Sequence, residues 1–81
     1  MDRYLEKVIR FLQSNAVHEL PEITEDSHLI GDLGFNSLEM VQMVDEAEQV
    51  FGITIEDDEM PQILTVKDFI ALLKRKNAQL D

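Results

Sequence analysis

Asn36-Ser37-Leu38-Glu39-Met40-Val41-Gln42-Met43-Val44-Asp45-Glu46-Ala47-Glu48-Gln49-Val50-Phe51-Gly52 decides how this chain is read. Stepping about 100° per residue places Met40, Met43, Val44, Ala47, Val50 and Phe51 in one arc, the stripe of a helix that buries one face. Asn36 is a good N-cap, and Glu39 stands at the third helical position, where it completes a capping box. Gly52 suits the left-handed C-terminal position, and apolar Ile53 after it fits a Schellman ending. The spacing predicts a helix over 37–51. Its opposite arc carries Glu39, Gln42, Asp45, Glu46, Glu48 and Gln49, with Leu38 and Val41 among them. Two aliphatic side chains one turn apart, framed by acids on the solvent side, read as a docking point.

Outward from this helix the punctuation is clear. Leu5, Val8, Ile9, Leu12 and Ala16 recur at helical spacing after Asp2, a suitable N-cap, so a first helix is expected near the N-terminus. Residues 17–36 break that rhythm with Pro21, Gly31 and Gly34 and the turn formers Thr24, Asp26 and Ser27. Leu20, Ile23, Leu29, Ile30 and Leu33 pin this stretch to a core, so it reads as an ordered loop lying over helices. Thr65 with Asp68 starts a last helix that buries Val66, Phe69, Ile70 and Leu73 and ends in Lys74-Arg75-Lys76, as suits its negative pole. Between them, Asp57-Asp58-Glu59 followed by Pro61 allows one short or distorted turn. Ile53-Thr54-Ile55 is β-prone but too short for a strand. The fold class expected is all-α: a four-helix bundle of three main helices and one short one, forming a single domain over 1–81.

Charge segregates along the chain. The formal net charge is −10, with +1 over residues 1–10, +2 over 67–81 and −13 over 11–66, where no Lys or Arg occurs. Such a surface repels nucleic acid and anionic membranes and attracts basic patches on other proteins. With no cysteine there is no disulfide, no thiolate metal site and no thiol nucleophile. No run approaches the roughly 20 apolar residues of a membrane span, and Met1-Asp2-Arg3-Tyr4 lacks the layout of a signal peptide. A cytoplasmic monomer is expected. Asp57-Asp58-Glu59 lacks the alternate spacing of a calcium loop, so no dedicated metal site is expected. His18 and His28 have no serine or cysteine at a triad position, which argues against an enzyme.

Ser37 carries the chemistry. A hydroxyl at the first turn of a helix lies where free N–H groups and the positive pole favour a phosphodiester, even among acids. Gly34-Phe35-Asn36-Ser37-Leu38 is a weak motif alone. Yet the run Leu29-Ile30-Gly31-Asp32-Leu33-Gly34-Phe35-Asn36-Ser37-Leu38-Glu39, the acidic helix through Phe51-Gly52-Ile53-Thr54-Ile55, and Thr65-Val66-Lys67-Asp68-Phe69-Ile70 together resemble an acyl carrier protein. The resemblance covers essentially the whole chain. It implies a 4′-phosphopantetheine arm on Ser37, attached by a phosphopantetheinyl transferase, whose terminal thiol holds acyl groups as thioesters. It implies as partners that transferase and the enzymes of fatty-acid, polyketide or related biosynthesis that transfer or modify acyl groups.

Three positions depart from the family pattern: Asn36 replaces the usual aspartate, charged Asp45 takes a position that is often apolar, and Pro61 interrupts the short third helix. They point to a specialised carrier. Asn36 and Gly34 are assigned to shaping the attachment site, and Leu38, Glu39, Val41, Asp45 and Glu48 to partner contact. Met43, Ala47 and Ile55 line either an acyl space or plain core. An aminoacyl or peptidyl carrier, and an acidic adaptor that is never modified, are the alternatives.

Overall fold

The computed structural model describes residues 3–78 of the 81. Among the described residues three helices, α1 (Arg3–Asn15), α2 (Ser37–Phe51) and α3 (Val66–Arg75), account for the regular structure, with one 3₁₀ turn at Met60–Gln62. The all-α expectation holds, and the short fourth helix is that single turn, with Pro61 in its first positions, where a missing N–H costs nothing. Asp2, the expected cap of α1, lies outside the described residues. Ala16, included in the α1 rhythm, falls just beyond its end.

Each helix turns an apolar stripe inward: Val8, Phe11 and Leu12 from α1, Met40, Met43, Ala47 and Phe51 from α2, and Val66, Phe69, Ile70, Leu72 and Leu73 from α3. The three helical phenylalanines, of four in the chain, meet at the centre. Phe11 stands 5.4 Å from Phe51 and 5.8 Å from Phe69 between ring centroids, and Phe51 stands 6.2 Å from Phe69. All three contacts are tilted or edge-on, as ring quadrupoles prefer. Val50 departs from its expected place: it is half exposed, because Phe51 fills the core position in the last turn of α2. Met43, Ala47 and Ile55 are all buried in the core cluster.

The stretch between α1 and α2 is ordered by backbone pairing to the start of α3. Leu29 N–H donates to Leu64 O (2.9 Å), Val66 N–H to Ser27 O (3.0 Å) and Lys67 N–H to Glu25 O (2.9 Å). Ser27, buried despite its hydroxyl, accepts Thr24 N–H at Oγ (2.9 Å). Ile23, Leu29, Leu33 and Phe35 plug the loop into the core, whereas Ile30 is half exposed. Loop and α3 N-terminus thus form one unit.

Residues 53–64 lead from α2 to the cap of α3. Gly52 takes the left-handed conformation (φ 63°), and Ile53 N–H reaches back to Glu48 O (3.1 Å), the Schellman bond anticipated at this end. Glu59 then ties the turn to the end of α3. Its Oε1 accepts Lys76 Nζ (2.8 Å) and Glu56 N–H (2.9 Å), and its Oε2 accepts Arg75 Nη2 (3.1 Å). The Lys76 ammonium, then the Glu56 N–H, hold the Glu59 carboxyl at about 2, against an ordinary 4.5, with Arg75 adding to them. A depressed pKa means a contribution to stability that is complete above about 4.5 and lost as pH falls through about 2. Carbon-detected NMR titration is expected to give Glu59 a midpoint near 2, and Lys76→Ala is expected to raise it toward 4.5.

Candidate functional site

Phe35 sets the approach to the site. It is buried at 1% exposure, and its N–H donates to Leu29 O (3.1 Å), so the chain enters α2 from a fixed point. Gly34 precedes it at φ +78°, a left-handed conformation that strains any other residue. A Cβ there would also stand 3.3 Å from His18 Nε2, which itself donates to Leu33 O (3.0 Å). Backbone conformation and the close approach of His18 both call for glycine at position 34.

Asn36 is extended (φ −93°, ψ 176°), and its Oδ1 accepts Glu39 N–H (2.8 Å) while Glu39 Oε1 accepts Asn36 N–H (3.0 Å). The capping box is complete. Ser37 follows as the first helical residue, exposed to solvent. Of the orphan donors of the first turn, the box takes that of Glu39 and leaves those of Ser37 and Leu38 at the positive end of the helix. An exposed hydroxyl in that field suits attachment of a phosphodiester.

Ser37 borders an apolar groove of about 240 Å³. Met40 and Val41 line it from α2, Met60, Pro61, Ile63 and Leu64 from the segment before α3, and Ile30 from the loop. This groove was not legible in the sequence. Nothing in its residue type or spacing singles out Leu64, and Pro61 reads only as a helix breaker. Met43, Ala47 and Ile55 do not line it and are buried in the core cluster.

Around Ser37 the aliphatic side chains stand out: Leu38 is 66% exposed, Val41 43%, Ile30 49% and Leu64 50%. The acids assigned to the same face divide into two kinds. Asp45 is exposed. Glu39 is half buried, with Oε1 in the capping box and Oε2 shielded from solvent without a hydrogen-bond partner among the described residues. Glu48 gives its Oε2 to Ile55 N–H (2.8 Å), bracing the turn after α2. Among the described residues no three His, Asp or Glu side chains converge as metal ligands, and no helix is long and apolar enough to cross a membrane.

Residues 6–73 match the family described as the phosphopantetheine attachment site. The chain is 33% identical over 73 residues to an acyl carrier protein of Coprothermobacter proteolyticus, covering 90% of this chain and 89% of that one. It is 36% identical over 75 residues to one of Petrotoga mobilis (93% and 88% covered) and 34% identical over 74 residues to one of Rickettsia bellii (91% and 86%). A family match across most of the length, on a helical fold with an exposed serine opening α2, leads to one conclusion: the chain belongs to the acyl carrier protein family, whose members are carriers and not enzymes.

Proposed function

We propose that this chain, acting as one domain over residues 1–81, carries acyl groups on a 4′-phosphopantetheine arm joined to Ser37 Oγ. The observation that carries the reading is the exposed Ser37 hydroxyl at the first turn of a doubly capped helix, bordering an apolar groove. The residues present fit such a group. Ser37 is open to a transferase, the α2 N-terminus suits a phosphodiester, and the groove of about 240 Å³ is shaped for an apolar extension. When attached, the arm supplies the thiol that this cysteine-free chain lacks, and that thiol holds the acyl group as a thioester. The chain's own residues do the rest. Asn36 and Glu39 keep the first turn intact while a transferase works on it, and Gly34 and Phe35 hold the approach rigid.

Leu38, Val41 and Asp45 form the centre of the partner face in this reading, with Glu39 and Glu48 serving the fold first and the face second. Ile30 and Leu64 extend it. Partners with basic patches around an apolar contact fit it best. A monomer working in the cytoplasm, away from membranes, within fatty-acid, polyketide or related synthesis, completes the proposal. Its acidic mid-section supports the first points, and the family supports the last.

Coexpression with a phosphopantetheinyl transferase and coenzyme A, read by intact mass and peptide mapping, tests the attachment. Ser37→Ala is expected to abolish the added mass and to change stability by no more than about 0.5 kcal/mol, since the cap belongs to Asn36. An arm found on any other serine would overturn the assignment.

Asn36→Asp is expected to leave stability almost unchanged, because both residues cap well. A transferase that reaches for the usual family aspartate with a basic side chain gains a charge-assisted hydrogen bond from the variant. Such bonds contribute about 1.5–3 kcal/mol, so kcat/KM for modification is expected to rise about ten- to a hundredfold. Equal rates would mean that Asn36 is neutral for recognition.

Partner binding is expected to weaken as salt rises, because exposed acids must meet exposed bases. Asp45→Lys is expected to slow association, and Val41→Ala to speed dissociation. Surface plasmon resonance across ionic strengths separates the two effects. Binding indifferent to salt would move the docking face elsewhere.

A further inference from the structure

The groove beside Ser37 has one firm side and one that must be held. Met40 and Val41 belong to α2 and are fixed by its hydrogen bonds. The facing side is the 3₁₀ turn and the residues after it, and Met60–Gln62 bury no side chain. What anchors that side lies at its ends. Downstream, Ile63 plugs the core, Leu64 O accepts Leu29 N–H, and Asp68 Oδ2 accepts the N–H groups of Leu64 and Thr65. Upstream, the nearest anchor before the turn is Glu59 itself. Its side chain is only 17% exposed, and it joins the turn to Arg75 and Lys76 at the end of α3.

We propose that Glu59 is a positioning residue for the Ser37 groove: its paired contacts to Arg75 and Lys76 hold the Met60–Leu64 side in place and so set the groove's width. The geometry explains why a carboxylate is required. One oxygen must take both the Lys76 ammonium and the Glu56 N–H while the other takes the guanidinium, which uses both acceptor oxygens at once. Glutamine at this position offers one neutral acceptor oxygen for the Lys76 ammonium and the Glu56 N–H, and its amide NH2 would face the Arg75 guanidinium in place of the second oxygen. Arg75 and Lys76 in turn sit at the negative pole of α3, where cations are favoured, so the anchor is braced at both ends. A released turn would swing Met60 and Pro61 away from Val41 and widen the space that an apolar chain from Ser37 would enter. The proposal rests on the carrier reading only in giving the groove that occupant; the anchor itself belongs to the unmodified chain.

Amide hydrogen exchange on the unmodified protein tests it and needs no arm, so its outcome is independent of whether Ser37 is modified. The reporters are the N–H groups of Glu59, Gln62 and Ile63, bonded to Glu56 O, Glu59 O and Met60 O. Glu59→Gln is expected to speed their exchange at least tenfold while Met40 N–H in α2 and the amides in the middle of α1 keep their wild-type rates. The double variant Arg75→Ala/Lys76→Ala, which leaves Glu59 its bond to Glu56 N–H, is expected to do the same. The conservative pair Arg75→Lys/Lys76→Arg is expected to restore protection. Raising ionic strength from about 0.05 to 0.5 M is expected to speed the same three amides in the wild type and leave the double variant unmoved, as screening of an ion pair requires. Unchanged exchange at these amides in the double variant, or acceleration spread evenly over all three helices, would overturn the proposal.

Discussion

Phe11, Phe51 and Phe69 come one from each helix and meet ring to ring, and the fold depends on that meeting. Helices of 13, 15 and 10 residues are marginal by themselves in water, because nucleation costs more than so few turns return. Packing has to supply the difference. Losing one such ring from a core costs about 3–5 kcal/mol, a large share of the roughly 5–15 kcal/mol that holds a small domain together. Lys74 over the Tyr4 ring, at 5.3 Å, adds a second tie between α1 and α3 at the rim. Once the three rings are in place, the directions of α1, α2 and α3 are settled and the connections must adapt to them.

The connection from α1 to α2 adapts by borrowing from α3. A long segment laid over a core has backbone groups that need partners. Here they find them at the one helix start that lies alongside, through the Leu29–Leu64, Ser27–Val66 and Glu25–Lys67 bonds. The same pairing brings Ile30 and Leu64 to one place beside Ser37. The groove is therefore a by-product of how the loop satisfies its backbone, and it is assembled from segments far apart in the chain: residues 30, 37–41 and 60–64.

That origin explains what the sequence disclosed. The bounds of α2, both capping boxes and the Schellman ending were legible because each is a bond between residues three to five apart, written in the residue types themselves. Ser37 was legible for the same reason, since its place follows from Asn36 and Glu39. Phe11 was not, because Val8, Ile9 and Leu12 already filled the helical rhythm and nothing local ranks a ring above them. Val50 was misplaced because an angular stripe does not say which residue of the last turn reaches the centre: Phe51 meets Phe11 and Phe69 there, while Val50 lies half exposed at a groove beside α1. Glu59 read as one acid in a solvated run. Its partners, Arg75 and Lys76, lie 16 and 17 residues away, a distance over which residue types alone give no pairing.

The acids themselves carry the last step. Between residues 11 and 66 no base is available to pair with 13 carboxylates, so those that fold inward must find backbone N–H groups instead. Asp32 takes that of His28 and Glu39 that of Asn36, while Glu48 takes that of Ile55. Glu59 takes that of Glu56 and adds the two cations from α3. Each of these is a local brace before it is a surface charge. Along α2, Glu46 stands across a separate groove that Lys7 and Arg10 also line, on the α1 side. Asp45 is then the exposed carboxylate of α2 not already engaged in bracing the fold or facing α1. The total of −10 thus overstates the charge available beside Ser37: a face built on Leu38 and Val41 with Asp45 is more apolar than composition suggests. Steering by the whole charge and grip by a small apolar centre are separable properties of this surface.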